Sequence, residues 1–235
     1  MRTNIVVLVA LLVLPLSLYA KDKRDFTETF PLDECTFGNE GGNRYFILQP
    51  GRELHYDNSD CVEEGDCDEL EALTITVTDA LQDIMFDGEM ISTRVVEEFE
   101  TADGEFAEQS FNYFAVCQET GDVYYFGEEV FVPDGDQPGA WLAGQEGAMP
   151  GIIMPGGAFL LGARYYQEVA PGVALDRAEH TAMGLDVEVP AGAFEDCVEV
   201  TETTPLDKKE ESTKLYCPNI GLVVDDDLEL IGIVE

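Results

Sequence analysis

The residues best suited to chemistry in this 235-residue sequence are carboxylates, gathered in one segment between positions 57 and 69. Hard cations such as calcium bind several oxygen atoms at flexible spacing, and carboxylates close to backbone carbonyls supply them. A bridge between Cys61 and Cys67 would close this segment and lower the cost of gathering like charges. We therefore predict a divalent-cation site with calcium as the one candidate cofactor. Its candidate ligands are Asp57, Asp60, Glu63, Glu64, Asp66 and Asp68.

Two further acidic groups are weaker candidates, Asp134-Gly135-Asp136 and Asp225-Asp226-Asp227. None of the three groups follows the EF-hand pattern, because the glutamate of that pattern is absent from its position in each. The alternative is a solvated acidic surface in a halotolerant protein. The sequence has 49 Asp and Glu against 12 Lys and Arg, a net charge of −37, and high salt screens such repulsion. The same charge excludes nucleic acid as a partner, since phosphate binding needs the opposite sign.

Aromatic residues favour a second kind of site. The sequence has 13 Phe, 9 Tyr and 1 Trp, and β-barrels often enclose a ligand cavity. A pocket for a small apolar ligand or lipid would be lined by Tyr124, Phe126, Trp141, Tyr165 and Tyr166. The alternative is that these rings form the ordinary core of a β-sheet.

Catalytic motifs are scarce. After residue 20 the serines are Ser59, Ser92, Ser110 and Ser212, and none lies in a Gly-x-Ser-x-Gly sequence. A hydrolase triad would need His55 or His180 as its base, and both lie on predicted strands. No Walker loop, dinucleotide fingerprint or His-Glu-x-x-His helix occurs. We therefore expect no catalytic residues, and a binding or structural role instead of an enzymatic one.

The N-terminus predicts export. Arg2 begins a short basic region, Ile5 to Leu14 is an apolar run, and Ala20 offers a small residue at a cleavage position. The run is shorter than the ~20 residues that a membrane span needs. Residues 1–20 are therefore predicted to be a signal peptide, and the mature chain to be secreted or periplasmic with no membrane span. Since Arg2 is the one charged residue removed, the mature chain would carry a net charge of −38.

Cysteine usage agrees with an oxidising compartment. All six cysteines follow residue 20, and an even number there favours disulfides. Six cysteines allow fifteen pairings, which the sequence alone does not resolve. Spacing favours Cys61 with Cys67 and Cys197 with Cys217, which leaves Cys35 with Cys117. A zinc site is the alternative, although no Cys-x-x-Cys motif occurs.

The remainder of the chain predicts an all-β fold. Residues 73–78 alternate apolar and polar residues, and Asp87-Gly88 and Asp103-Gly104 mark hairpin turns between apolar runs. We predict one domain over 21–235, an antiparallel meander of about ten strands curled into a barrel or half-barrel, with a two-sheet sandwich as the alternative. Residues 133–162 are too rich in Gly and Pro for regular structure and are predicted to form a packed loop.

Several blocks resemble, together and in order, a family of exported bacterial proteins of unknown function. The blocks cover about half of the mature chain and read DVYYFGE (122–128), GAMPGIIMP (147–155), YQEVAPGV (166–173), VPAGAF (189–194) and YCPNIGL (216–222). The cysteines and the acidic loop at 57–69 depart from the pattern of that family. The resemblance implies export and a β-rich fold, and it implies neither a substrate nor catalytic residues.

Overall fold

The computed structural model describes residues 25–135, 137 and 139–235, so the predicted signal peptide lies outside the described residues. Its one α-helix, α1, spans Ser59–Glu64, and a 3-10 turn spans Leu32–Glu34. The described residues form these seventeen strands: β1 (Phe37–Gly38), β2 (Gly41–Gly42), β3 (Ile47–Leu48), β4 (Glu53–Asp57), β5 (Glu71–Phe86), β6 (Glu89–Ala102), β7 (Glu105–Cys117), β8 (Val123–Phe131), β9 (Trp141–Leu142), β10 (Met149–Met154), β11 (Arg164–Tyr166), β12 (Glu168–Val169), β13 (Arg177–Val189), β14 (Gly192–Thr203), β15 (Glu211–Cys217), β16 (Gly221–Asp225) and β17 (Leu228–Val234).

One large antiparallel sheet contains all the strands except β2 and β3, which pair with each other. The sheet runs in the order β11-β13-β14-β15-β16-β17-β4-β5-β6-β7-β8-β10-β12, with β1 added to β7 and β9 added to β8. The predicted meander of four strands is therefore present as β5 to β8. Its first two turns follow from the sequence, because Asp87-Gly88 and Asp103-Gly104 have positive φ at both positions, as a two-residue hairpin requires.

The sheet curls until its two ends meet. β11 and β12 stand at opposite ends of the strand order, yet only Gln167 separates them along the chain. In the described part of the chain no ladder joins β11 to β12, so the closed barrel is not confirmed and the two-sheet alternative stays open. The all-β, antiparallel prediction is confirmed. The predicted count of about ten strands was too low, because it omitted the very short strands, β9 and β10 between 133 and 162, and also β4 and β17.

The segment 133–162 is partly regular, contrary to the prediction. It contributes β9 and β10, and β10 lies between β8 and β12. Trp141, Ala143, Ala148, Ile152 and Met154 are buried, which agrees with the predicted packing of this segment. Gly and Pro did not prevent a strand here, because β10 is buried between two partner strands that supply its hydrogen bonds.

Three disulfides stabilise the fold: the two pairs that the spacing favoured and the third pair that these left. Cys35–Cys117 ties the N-terminal segment to β7, Cys61–Cys67 closes the loop around α1, and Cys197–Cys217 joins β14 to β15. Phe37, next to the first of these bridges, packs against Tyr124 and Phe126 of β8. The N-terminal segment therefore covers one face of β8, and the opposite face contributes to the interior. Among the described residues, no helix is long and apolar enough to cross a membrane.

Candidate functional site

An interior cavity of about 120 Å³ lies inside the curled sheet. Residues of both halves of the sheet line it, from β4 to β7 on one side and from β14 to β16 on the other. Neighbouring strands lie about 4.8 Å apart, so a flat sheet could not bring these strands around one small cavity. Most of the wall is apolar, and its main residues are Leu54, Ile75, Val77, Val96, Phe114 and Leu222.

One end of the cavity is charged. The Nζ of Lys214 lies 2.8 Å from a carboxylate oxygen of Asp225 and 3.7 Å from one of Glu202. The Nε2 of Gln167 donates a 2.6 Å hydrogen bond to the other carboxylate oxygen of Glu202. Burial alone would lower the pKa of Lys214, but the negative charges of Glu202 and Asp225 outweigh it and raise that pKa well above its usual value. Lys214 is therefore a fixed cation between two acids.

Arg52 supplies the second cation of the cavity wall. Its side chain is only 5% exposed and forms an ion pair with Glu235. Its Nη2 donates a 3.0 Å hydrogen bond to the carbonyl oxygen of Ile220. The Nε–H of the same guanidinium is buried and has no hydrogen-bond acceptor among the described residues. One donor in the wall of the cavity is thus unmatched, and an unmatched buried donor is costly.

Glu98 is an unmatched acid in the same wall. Its carboxylate makes no hydrogen bond and no ion pair with the described residues. Burial raises the pKa of Glu98 to about 7, and the negative charges of Asp225, Glu100 and Glu128 add to that rise, whereas Lys214 opposes it. Glu98 therefore changes its charge near neutral pH, which an exposed glutamate does not do.

Tyr56 lies among these charges. Its hydroxyl donates a 2.9 Å hydrogen bond to the carbonyl oxygen of Leu222. Burial raises the pKa of Tyr56 well above 10, and the charges of Glu98 and Asp225 raise it further. Lys214 and Arg52 act on Tyr56 in the opposite direction. The four charged groups therefore surround one neutral phenol, which keeps its proton at every physiological pH.

A second polar network extends from this end of the cavity to the junction at Gln167. Its centre is Glu168, a carboxyl group that is 1% exposed and accepts a hydrogen bond from the backbone N–H of Asp176. Farther along, the hydroxyl of Tyr125 contacts both Asn112, at 2.5 Å, and Glu128, at 3.0 Å. Burial raises the pKa of Glu128 to about 7 and that of Glu168 well above its usual value. The interior of the sheet is therefore rich in carboxyl groups that hold protons near neutral pH.

The predicted cation ligands lie elsewhere, at a cleft of about 320 Å³ on the outside of the fold. Asp57, Asp60, Glu64 and Asp66 line this cleft, whereas Glu63 and Asp68 do not. The structure adds acids from the turn between β16 and β17 and from β17 itself, namely Asp226, Asp227 and Glu229. The first and third acidic groups of the sequence therefore converge, although about 160 residues separate them. The second group is not described in full, since Asp136 lies outside the described residues.

The predicted ligand-binding aromatics do not line the interior cavity. Tyr124, Phe126, Trp141 and Tyr165 are buried, and Tyr166 is half-buried. Each packs edge-on against another ring: Tyr124 and Phe126 against Phe37, Trp141 against Tyr125, Tyr165 against His180, and Tyr166 against Phe26. Such contacts between rings are typical of a hydrophobic core. The cavity instead takes Ile153 from the 133–162 segment and its charged residues from strands that the sequence analysis did not single out.

Comparisons with known proteins add little. No family model matches the chain, and no curated protein matches it. Among solved structures, it is similar to a candidate exported protein with a YmcC-like fold from Bacteroides fragilis. The two chains are 15% identical, the match covers 82% of this chain and 100% of that one, and the TM-score is 0.31. A likeness at that score carries no conclusion about this chain, and the resemblance to exported proteins of unknown function stays a prediction.

Proposed function

We propose that this chain is an exported, non-catalytic binding protein whose interior cavity holds a small molecule with an apolar body and one polar end. The observation that carries the proposal is the composition of the cavity wall. Most of the wall is apolar, and two of its polar groups, the buried donor Arg52 Nε and the acid Glu98, have no partner among the described residues. Ligand sites combine an apolar lining with a few polar groups that fix orientation.

The volume of the cavity limits the size of the ligand. An apolar cavity of about 150 Å³ is known to hold benzene. At about 120 Å³, this cavity suits a molecule of similar or slightly smaller size, or the buried part of a longer one. The three disulfides support export, because such bonds persist in secreted and periplasmic proteins and are rare in the cytosol.

Native mass spectrometry of protein purified from its own medium tests this proposal. We expect a bound small molecule. We expect the Val96→Phe variant to lose it, because Val96 is only 2% exposed and lines the cavity, so the larger ring would fill it. Val234→Phe is the matched control, since Val234 is exposed on β17. Wild-type protein that carries no small molecule, and whose thermal unfolding does not respond to millimolar isopentanol, would contradict the proposal. Circular dichroism checks that both variants fold.

A second candidate function is divalent-cation binding at the outer cleft. The convergence of two distant acidic groups favours it, because burial and the charges of Asp60, Asp57 and Glu64 raise the pKa of Glu229 in that cleft. Such crowding is unfavourable without a cation. The alternative remains a salt-tolerant acidic surface, on which these charges are screened by any salt.

Thermal unfolding in millimolar calcium, compared with sodium chloride at matched ionic strength, separates the two explanations. A bound cation raises the unfolding temperature of the native state in calcium alone. Asp226→Asn is an informative variant, because asparagine can keep the 2.7 Å hydrogen bond from the Thr213 N–H and also tolerates the positive φ of 51°. At a calcium site this variant reduces the calcium response. An equal response of the wild type to both salts contradicts the cation site.

A further inference from the structure

We propose that the ligand of the interior cavity is a small primary amine, whose ammonium group binds Glu98 while its hydrocarbon part contacts the apolar wall. This inference rests on the function proposed above and specifies the ligand of the same site. It follows from the balance of charges in the cavity wall, from the charges around Glu98, and from the apolar residues that line the rest of the wall.

The two cations of the cavity wall already have anionic partners. Arg52 is paired with Glu235, and Lys214 is held between Asp225 and Glu202. Glu98 is the one acid lining the cavity that has no basic group within ion-pair distance among the described residues. An ammonium ion from a ligand would give Glu98 the partner that the chain does not provide, through a charge-assisted hydrogen bond.

The charges around Glu98 favour the same sign of ligand. Lys214 has the largest charge effect on Glu98 and is positive, but its charge is already shared between Asp225 and Glu202. The other groups that act on Glu98 are the acids Asp225, Glu100 and Glu128. A carboxylate or phosphate placed beside Glu98 would be repelled by these acids. An ammonium ion would be attracted by them, and in the low-dielectric interior this difference is larger than at the surface.

The charged end of the cavity is not dry, and this makes the burial of an ammonium ion feasible. The side chains of Lys214, Asp225 and Glu202 keep 23%, 19% and 17% exposure. Water can therefore reach this end and hydrate the N–H groups that Glu98 does not accept. Apolar side chains such as Val96 and Phe114 line much of the remaining wall, so the hydrocarbon part of the ligand has a separate place.

The competing ligand class is an acid. The unmatched Nε–H of Arg52 could donate to a carboxylate, and a small organic acid would then occupy the cavity with its charged group at Arg52 and not at Glu98. The ion pair of Arg52 with Glu235 argues against this class, because the positive charge of the guanidinium is already balanced. The two classes make opposite predictions for probes of the same shape.

The experiment compares three probes of matched size on the full mature chain by titration calorimetry: isopentylamine, isopentanol and isovalerate. At about pH 8, above the pKa of Glu98, we expect the amine to bind about tenfold more tightly than the alcohol, and isovalerate to bind most weakly. Glu98→Gln should bring the affinity for the amine down to that for the alcohol and leave the alcohol unchanged, which also shows that the variant folds. Glu97→Gln, on the opposite face of β6, should change neither affinity.

Each other outcome has a definite meaning. If the amine binds no more tightly than the alcohol, or if Glu98→Gln binds the amine as well as wild type does, the inference is wrong although the cavity still binds ligands. Tightest binding of isovalerate also overturns it and assigns recognition to Arg52. If none of the three probes binds, the proposed function itself fails. If Glu98→Gln does not fold, Glu98→Asp replaces it in the test. This variant keeps the charge on a side chain that is one methylene shorter, so it should weaken the binding of the amine and leave that of the alcohol unchanged.

Discussion

The Nζ of Lys214 lies 2.8 Å from a carboxylate oxygen of Asp225, and the two residues face each other across neighbouring strands of the sheet. Glu202, on the strand at the other side of β15, lies 3.7 Å from the same Nζ. A single ammonium group thus pairs with acids from the two strands that flank β15. Because all three side chains are largely withdrawn from water, their charges depend on one another much more than surface charges do.

Removal of the ammonium group should therefore be strongly destabilising. We expect Lys214→Met to lower the free energy of unfolding by about 3 kcal/mol, because two carboxylates lose their counter-charge inside the sheet. Lys209→Met, at an exposed position, should change it by less than about 0.5 kcal/mol. Urea unfolding at neutral pH measures both.

A double variant separates the loss of charge from the loss of packing. Lys214→Met combined with Asp225→Asn removes one of the two carboxylate charges that the single variant leaves without a cation. The double variant should therefore recover a large part of the stability lost in Lys214→Met. If the double variant is no more stable than Lys214→Met, the Lys214–Asp225 ion pair is not the cause of the loss.

The dependence of the free energy of unfolding on pH should report the titration of the Glu98 carboxyl group. Its pKa is about 7 in the folded protein against 4.5 ordinarily, so the folded state holds the proton more tightly than the unfolded state. The resulting stabilisation is fully present below about pH 4.5 and is lost as the pH rises through about 7. Relative to Glu98→Gln, which does not titrate, the wild type should lose up to about 3 kcal/mol over that interval.

Urea unfolding at a series of pH values measures this difference. Glu105→Gln, at an exposed position on β7, is the control and should follow the wild-type profile. Parallel profiles for wild type and Glu98→Gln would show that Glu98 has an ordinary pKa in the folded protein.

The disulfides should contribute unequally. Cys35–Cys117 closes a separation of 82 residues, whereas Cys61–Cys67 closes one of 6. By chain entropy, the longer bridge should stabilise by about 4.5 kcal/mol and the shorter by about 2 kcal/mol. Paired Cys→Ala replacement at each bridge, followed by urea unfolding, tests this order. Equal losses would contradict the entropic account, and the third bridge, Cys197–Cys217, provides an intermediate separation of 20.

The sequence was sufficient for much of the fold. Asp-Gly turns with positive φ defined the hairpins of β5 to β7, and local spacing identified the disulfide pairs. The curl of the sheet could not be predicted from the sequence, because it depends on which strands pair with β11 and β12. These two short strands occupy opposite ends of the sheet, and no local pattern in residues 164–169 encodes that division.

The interior site was missed for a related reason. Glu98 lies in the run Val96-Glu97-Glu98-Phe99-Glu100, which looks like a solvated strand face in a chain with so many acids. Strand alternation places Glu98 on the same face as Val96. Only the pairing of β6 and the curl of the sheet show that this face lines the cavity. The available signal was Lys214, a rare lysine within an alternating strand of an acidic protein. A buried lysine needs acids from other strands, and sequence separation alone does not identify them.

The junction of the two sheet ends at Gln167 should depend on Gly151. A Cβ atom at position 151 would lie 2.3 Å from the carbonyl oxygen of Tyr166 and 2.6 Å from the carbonyl carbon of Gln167, so the backbone itself would have to move. We expect Gly151→Ala to destabilise by about 3 kcal/mol. The hydrogen bond from the Gln167 N–H to the carbonyl oxygen of Asp176, 2.8 Å long, should open, and hydrogen exchange at Gln167 should accelerate.

Gly157→Ala is the matched control, because no atom lies within 4 Å of a Cβ there, and it should change neither quantity. Unaltered exchange at Gln167 in Gly151→Ala would mean that the sheet ends are held together elsewhere, and the polar network around Glu168 would then be the first place to look for that contact.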